Sequence, residues 1–216
     1  MSDRVIVSMG IGPQQNLLRI ARRTIEPYAR RHGYDLDLHT RLLEQPRPAS
    51  WMRVPILRKL VERYELVVWL DADIVIVDGR DDIATELDDE HFLYLAEHRK
   101  DGSQMPNAGV MMLRGGEQAA NFLDQLWAMD QYVDHQWWEN AAICELLGYE
   151  LDPPRPGRPT PLLQRTKIIS PRWNTIVGDG VRRARIRHFA GYKTRTRAAL
   201  MTAATVEART RSLLGR

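Results

Sequence analysis

Apolar residues along this chain fall into short unbroken runs, separated by longer stretches in which they recur every three or four positions. The first run, Val5-Ile6-Val7, continues through Ser8 and Met9 to Gly10. So short an apolar run reads as a buried strand ending in a glycine turn, Gly10 to Pro13. From Gln14 to His32, Leu17, Leu18, Ala21, Ile25 and Tyr28 keep helical spacing, and Gly33 supplies the stop. Tyr34, Leu36 and Leu38 then alternate with Asp35, Asp37 and His39, the period of a half-exposed strand. Gln45 to Ser50 is a proline-rich loop. Trp51 to Tyr64 predicts a helix with Pro55 in its first turn. Leu66-Val67-Val68-Trp69-Leu70 is wholly apolar, as a strand covered on both faces must be. Asp71-Ala72-Asp73 follows at once, and then Ile74-Val75-Ile76-Val77.

Further along, Phe92 to Ala96 and Val110 to Leu113 predict strands, and Gln118 to Met129 and Trp137 to Leu147 predict helices. Asp152 to Pro161 holds five prolines and reads as an exposed loop. Lys167-Ile168-Ile169 and Arg185 to Phe189 are late strand candidates. After Lys193 the chain is rich in Ala, Thr and Arg and predicts a helix or a loose tail. Strands alternating with helices define an α/β fold with a largely parallel central sheet.

Composition narrows the picture. A length of 216 residues suits one domain, and 44% hydrophobic with 27% charged residues is ordinary globular usage. The single cysteine, Cys144, excludes a disulfide framework. The chain runs from Met-Ser-Asp-Arg directly into its first strand, without the apolar stretch of a secretory leader. No run approaches the about 20 apolar residues that cross a bilayer. The expectation is a cytoplasmic protein without a transmembrane segment. The formal charge is +3, and basic residues crowd late: Arg182, Arg183, Arg185, Arg187, Lys193, Arg195, Arg197, Arg209, Arg211 and Arg216. Such an excess suits nucleic acid, an anionic membrane, an anionic small substrate or a solvated face alike.

The candidate chemistry sits at Asp71 and Asp73. Carboxylates at alternate positions of an extended chain point to one side. They follow a buried strand, and α/β proteins bind ligands at the carboxyl ends of their strands. Two adjacent acids repel unless a cation lies between them, and Mg²⁺ or Mn²⁺ takes such oxygen ligands together with substrate phosphates. The plain alternative is an acidic turn between two strands.

The stretch Trp69-Leu70-Asp71-Ala72-Asp73-Ile74-Val75-Ile76 resembles the DxD strand of retaining glycosyltransferases with the GT-A fold. Its pattern is nearest to the glycogenin-like and fungal-type α-galactosyl- and α-mannosyltransferases. Asn107-Ala108-Gly109-Val110-Met111 resembles their N-[AS]-G-V strand. Glu139-Asn140 stands in the place of their acidic-amide pair, although Asp-Gln is commoner there. His188-Phe189-Ala190-Gly191-Tyr192-Lys193 resembles their H-F-x-G…K segment. The likeness runs from near Val5 to Lys193. It implies a single GT-A domain over residues 1–193, with a mixed, mainly parallel sheet flanked by helices, and a basic C-terminal helix or tail over 194–216.

The resemblance also implies roles. Asp71, Asp73 and His188 would hold Mn²⁺ or Mg²⁺; without it, His188 beside Phe189 reads as a core histidine. Gly191 and Lys193 would meet the diphosphate, and Leu70 and Ala72 would border it. Ser8, Met9 and Gly10 would seat the nucleoside. Arg53 would contact the donor, with Arg58 as its competitor across a short alignment gap. Asn107, Ala108 and Gly109 would line the sugar pocket, and Glu139 with Asn140 would stand across the anomeric carbon; otherwise Glu139 reads as a surface acid on an amphipathic helix. The implied reaction is hexose transfer from a nucleotide sugar, UDP favoured and GDP possible, to an acceptor hydroxyl with retention.

Other readings compete. Paired aspartates after a strand also serve phosphoryl transfer, but there the pair usually lies on the first strand with a threonine soon after. A nucleic-acid module would show aromatic and basic residues interleaved, which the basic third lacks. A glycan, a lipid-linked acceptor or modified DNA all fit a basic surface, and the segment from Thr194 onward could dock an anionic partner. Trp127, Trp137 and Trp138 fit either an acceptor platform or core packing.

Overall fold

The computed structural model describes residues 2–42, 46–100, 103–176 and 178–213. Gln45, in the loop expected before Ser50, and Arg216 lie outside the described residues, as does the Arg211 side chain.

The elements follow one another as β1 (Arg4–Met9), α1 (Gln14–His32), β2 (Asp35–His39), α2 (Arg53–Leu60), β3 (Leu66–Leu70) and β4 (Ile74–Ile76). The β5 (Leu93–Lys100) and β6 (Ser103–Arg114) strands come next, then α3 (Glu117–Trp127), α4 (Trp138–Leu147), β7 (Tyr149–Leu151) and β8 (Pro154–Pro156). The chain closes with α5 (Pro161–Gln164), β9 (Thr166–Ile169), β10 (Thr175–Ile176), β11 (Ile186–His188) and α6 (Thr194–Leu213).

A six-stranded sheet has the order β2-β1-β3-β6-β5-β9. Only β6 runs against its neighbours; every other pairing in this sheet is parallel. The carboxyl ends of β1, β3 and β5 therefore share one edge. The all-apolar β3 lies near the middle, buried along its whole length. Its Val68 and Leu70 face one layer with Ile6, Tyr94 and the α1 residues Leu17 and Ile25. Val67 and Trp69 face the other with Leu57, Leu123 and Ile143 of α2, α3 and α4. Each fully buried Val or Leu contributes about 1.5–3 kcal/mol, enough to reserve the sheet centre for such a run.

The structure revises several sequence expectations. The helix expected over 51–64 is a 3₁₀ turn, Ala49–Met52, followed by the shorter α2. Pro55 sits in the first turn of α2, where no backbone N–H is needed. The proline-rich stretch after Asp152 is not all loop: β8 pairs antiparallel with β7, Leu151 opposite Pro154 and Tyr149 opposite Pro156. A two-stranded ribbon is all edge, so its prolines forfeit no inner ladder.

The β5–β6 hairpin is longer than its apolar runs, and it is irregular. Leu95 pairs with Met111 but Ala96 with Asn107, so residues 108–110 bulge away from β5. Val110 stays opposite Leu70 on β3, and the Gly109 carbonyl accepts from the Asp71 N–H at 2.8 Å. The bulge thus carries Asn107, Ala108 and Gly109 over the end of β3.

A second sheet, β10-β11-β4, stands beside the first. In it β11 is antiparallel to β4, with His188 opposite Ile74, and the Phe189 N–H donates to the Asp73 carbonyl at 2.9 Å. This register alone brings the late histidine to the early aspartate. The basic segment after Lys193 is a helix, α6, which packs Met201 and Ala204 into the same apolar layer as α1. Part of the late basic charge is paired: Arg185 with Asp81, Arg187 with Glu207 at 2.7 Å, Arg197 with Asp73. Among the described residues no helix is long and apolar enough to cross a membrane.

Candidate active site

Asp71, Asp73 and His188 converge at the carboxyl end of β3. One ligand atom from each lies within 4.8 Å of the other two. His188 Nε2 is 3.3 Å from Asp73 Oδ1 and 3.8 Å from Asp71 Oδ2. Adjacent ligands around a cation with bonds of about 2.1 Å stand about 3 Å apart, and both distances from the imidazole lie within about 1 Å of that spacing. Two carboxylates suit Mg²⁺ and Mn²⁺, and the imidazole adds preference for a transition metal. Asp73 and His188 are both buried. Burial pushes the Asp73 carboxyl up, but His188 and Arg197 pull it below the usual carboxylate range. Burial pushes His188 down, but Asp73 and Asp71 outweigh it and hold the imidazole above its ordinary value.

The other nitrogen of His188 is also engaged. Its Nδ1 lies 3.0 Å from Asn174 Oδ1, while Asn174 Nδ2 donates to both Asn107 O and Asn107 Oδ1, at 3.0 and 2.9 Å. With the amide nitrogen committed to two acceptors, its oxygen is left to take the Nδ1 proton. That bond fixes the tautomer that presents Nε2 to a metal. Asn107 Oδ1 accepts the Gly109 N–H at 2.9 Å. One buried network therefore joins the sugar-pocket candidates to the metal-ligand candidate.

Arg53 ties the second half together. It is buried on α2, and its Nη2 lies 2.8 Å from Asp71 Oδ1 and 3.1 Å from Glu139 Oε1. Its Nη1 donates to the Ala108 carbonyl at 2.8 Å. Burial disfavours its charge, and Asp71, Glu139 and Asp73 more than restore it. The Trp69 indole also donates to Asp71 Oδ1, at 2.7 Å. Glu139 is buried in the first turn of α4, so it is not a surface acid. Burial pushes its carboxyl up, against the pull of Arg53. Asn140 spends its amide on the β6 backbone: Oδ1 accepts from the Ala108 N–H at 2.8 Å and Nδ2 donates to Pro106 O at 3.2 Å.

The remaining candidates divide. Ser8 and Gly10 are buried at the end of β1, with Met9 half-buried, and the Ser8 hydroxyl has no partner among the described residues. A Cβ on Gly10 would meet Gln14 O at 2.6 Å, so only glycine lets α1 start this close to the strand. Leu70 and Ala72 are buried around the aspartates. Gly191 turns with φ 81°, and Lys193 is exposed just before α6. Arg58 is elsewhere, pairing with Asp124 and Glu62. Of the tryptophans, Trp127 packs against the core beside Trp51, Trp137 is partly buried, and Trp138 is exposed with φ 45°. Asn174 and Arg197 belong to the site although no motif marks them; Arg197 carries only the weak signal of lying one helical turn after Lys193.

The fold matches solved glycosyltransferases. A glycosyltransferase involved in glycosylation of the major capsid of PBCV-1 aligns with TM-score 0.70 and 19% identity, over 92% of this chain and 99% of that one. The galactosyltransferase LgtC, solved with donor and acceptor sugar analogues, aligns with TM-score 0.55 and 13% identity, over 93% and 95%. GlyE of Streptococcus pneumoniae aligns with TM-score 0.60 and 14% identity, over 96% of this chain and 63% of that one. The fold is thus that of the GT-A glycosyltransferases. In sequence, "Probable glycosyltransferase 6" of Oryza sativa subsp. indica is 29% identical over 127 residues, 55% of this chain. The chain spans only 26% of that protein's length. No protein-family profile matches.

Proposed function

We propose that this chain is a metal-dependent glycosyltransferase that moves a hexose from a nucleoside diphosphate sugar, UDP favoured, to an acceptor hydroxyl with retention. The observation that carries this reading is the convergence of Asp71, Asp73 and His188 within 4.8 Å at the carboxyl end of β3. Arg53 joins that cluster to buried Glu139.

Ser8, Met9 and Gly10 seat the nucleoside beside the first strand, and Gly191 and Lys193 meet the diphosphate, with Leu70 and Ala72 beneath it. Asp71, Asp73 and His188 would hold Mn²⁺ or Mg²⁺, which when bound offsets the charge growing on the leaving diphosphate. Asn107, Ala108 and Gly109 face the sugar with an amide and close backbone. Glu139 opposes the positive charge that develops on the anomeric carbon. Asn140 sets the strand that presents those sugar contacts. The acceptor is a glycan, lipid-linked or nucleic-acid hydroxyl, approached with help from the basic segment that begins at Thr194.

Calorimetric titration with UDP tests the donor half. Binding should require Mn²⁺ in the wild type and be lost in Asp73→Asn with an unchanged circular dichroism spectrum. UDP affinity indifferent to Mn²⁺ would remove the metal from the reading.

A further inference from the structure

Helix α6 reaches the candidate metal ligands through one side chain. Arg197 Nη1 lies 2.9 Å from Asp73 Oδ2, the oxygen turned away from His188. Its Nη2 donates to the Tyr192 carbonyl at 2.8 Å, and its Nε is buried with no partner among the described residues. Arg53 stands on Asp71 in the same way, at 2.8 Å. Each aspartate of the pair is thus already matched by a guanidinium.

The charges then cancel. Asp71 and Asp73 bring two negative charges, and Arg53 and Arg197 two positive ones. A divalent cation entering alone would make the cluster positive. A diphosphate arriving with it restores the balance. The guanidinium is well suited to that second partner, because its planar fork matches phosphate oxygens. It also lies one helical turn beyond Lys193, its N–H bonded to the Lys193 carbonyl at 2.9 Å.

We propose that Arg197 is a phosphate-binding residue of the donor site: it rests on Asp73 and passes to the donor diphosphate when the metal takes that carboxylate. Metal and diphosphate then favour each other's binding. The inference rests on the donor reading above and assigns the C-terminal helix a part in it.

Two titrations test this in the full chain. One follows Mn²⁺ alone by the electron paramagnetic resonance of the free ion. The other follows UDP by calorimetry in saturating Mn²⁺. Removing a positive charge about 5 Å from a divalent ion shifts binding by at least about tenfold, the value for water-like screening. Arg197→Gln should therefore bind Mn²⁺ alone at least about tenfold more tightly than the wild type, and UDP with Mn²⁺ about tenfold more weakly. Arg197→Lys keeps the charge and should match the wild type for Mn²⁺ while losing UDP affinity. If Arg197→Gln melts like the wild type yet binds Mn²⁺ more weakly, Arg197 only holds Asp73 in place and the proposal is overturned. Unchanged UDP affinity overturns it as well. Should Arg197→Gln not fold, the lysine variant decides: weakened Mn²⁺ binding there refutes the proposal. A wild type that binds neither probe refutes the donor reading itself, and this inference with it.

Discussion

A methyl group on residue 109 would stand 2.3 Å from Cε1 of His188 and 2.6 Å from its Nδ1, so the bulge of β6 and the histidine of β11 fit only while residue 109 has no side chain. Gly109→Ala should push His188 off Asp73. Overpacking of this kind costs about 1–3 kcal/mol, readable in urea unfolding. Displacing a ligand's support also lowers metal affinity by about 10–100-fold, readable by Mn²⁺ titration. A variant with wild-type Mn²⁺ affinity would show that His188 is not a ligand.

Asn174 should matter through His188 and Asn107 together. Asn174→Ala leaves the buried His188 Nδ1 without its partner and removes one bond to the Asn107 carbonyl, at a cost of about 1–3 kcal/mol. The imidazole ¹⁵N shifts, taken at a pH where the ring is neutral, should report Nδ1–H in the wild type and a shift toward Nε2–H in the variant. An unchanged tautomer would remove Asn174 from the site's design.

These two residues also mark where sequence reading ended. The β3 run and its two acids were legible because an apolar stretch closed by Asp-Ala-Asp needs no partner to be interpreted. The helical spacing of α1 was legible for the same reason. The β6 bulge was not, because it exists only relative to two neighbouring strands. Nor was the burial of Glu139: nothing in the spacing of α4 shows that Arg53, far away in sequence, will stand against it. His188 could be singled out only through the resemblance, since antiparallel pairing across more than a hundred residues delivers it. Arg197 was hidden among arginines that look alike until α6 is docked.

The metal-free stability should depend on pH through Asp73 and His188, with opposite signs. Asp73 lies below the ordinary carboxylate range, so its contribution is present above that range and is lost as pH falls through the lowered value. His188 lies above its ordinary value, so its contribution is full below about pH 6.5 and is lost as pH rises through the raised value. Urea midpoints measured in chelator should pass through a maximum between these limits. In His188→Gln the alkaline decline should flatten; a decline of unchanged slope would place its origin in another group.

Release of nucleoside diphosphate from a panel of sugar nucleotides, with and without Mn²⁺, separates a working glycosyltransferase from a protein that shares only the fold. At least one UDP-hexose should be cleaved by the wild type in a Mn²⁺-dependent manner, slowly on water and faster with an acceptor glycan, and not by Asp73→Asn. If no sugar nucleotide is cleaved or bound under any of these conditions, the fold is that of a glycosyltransferase but the site is not that of one.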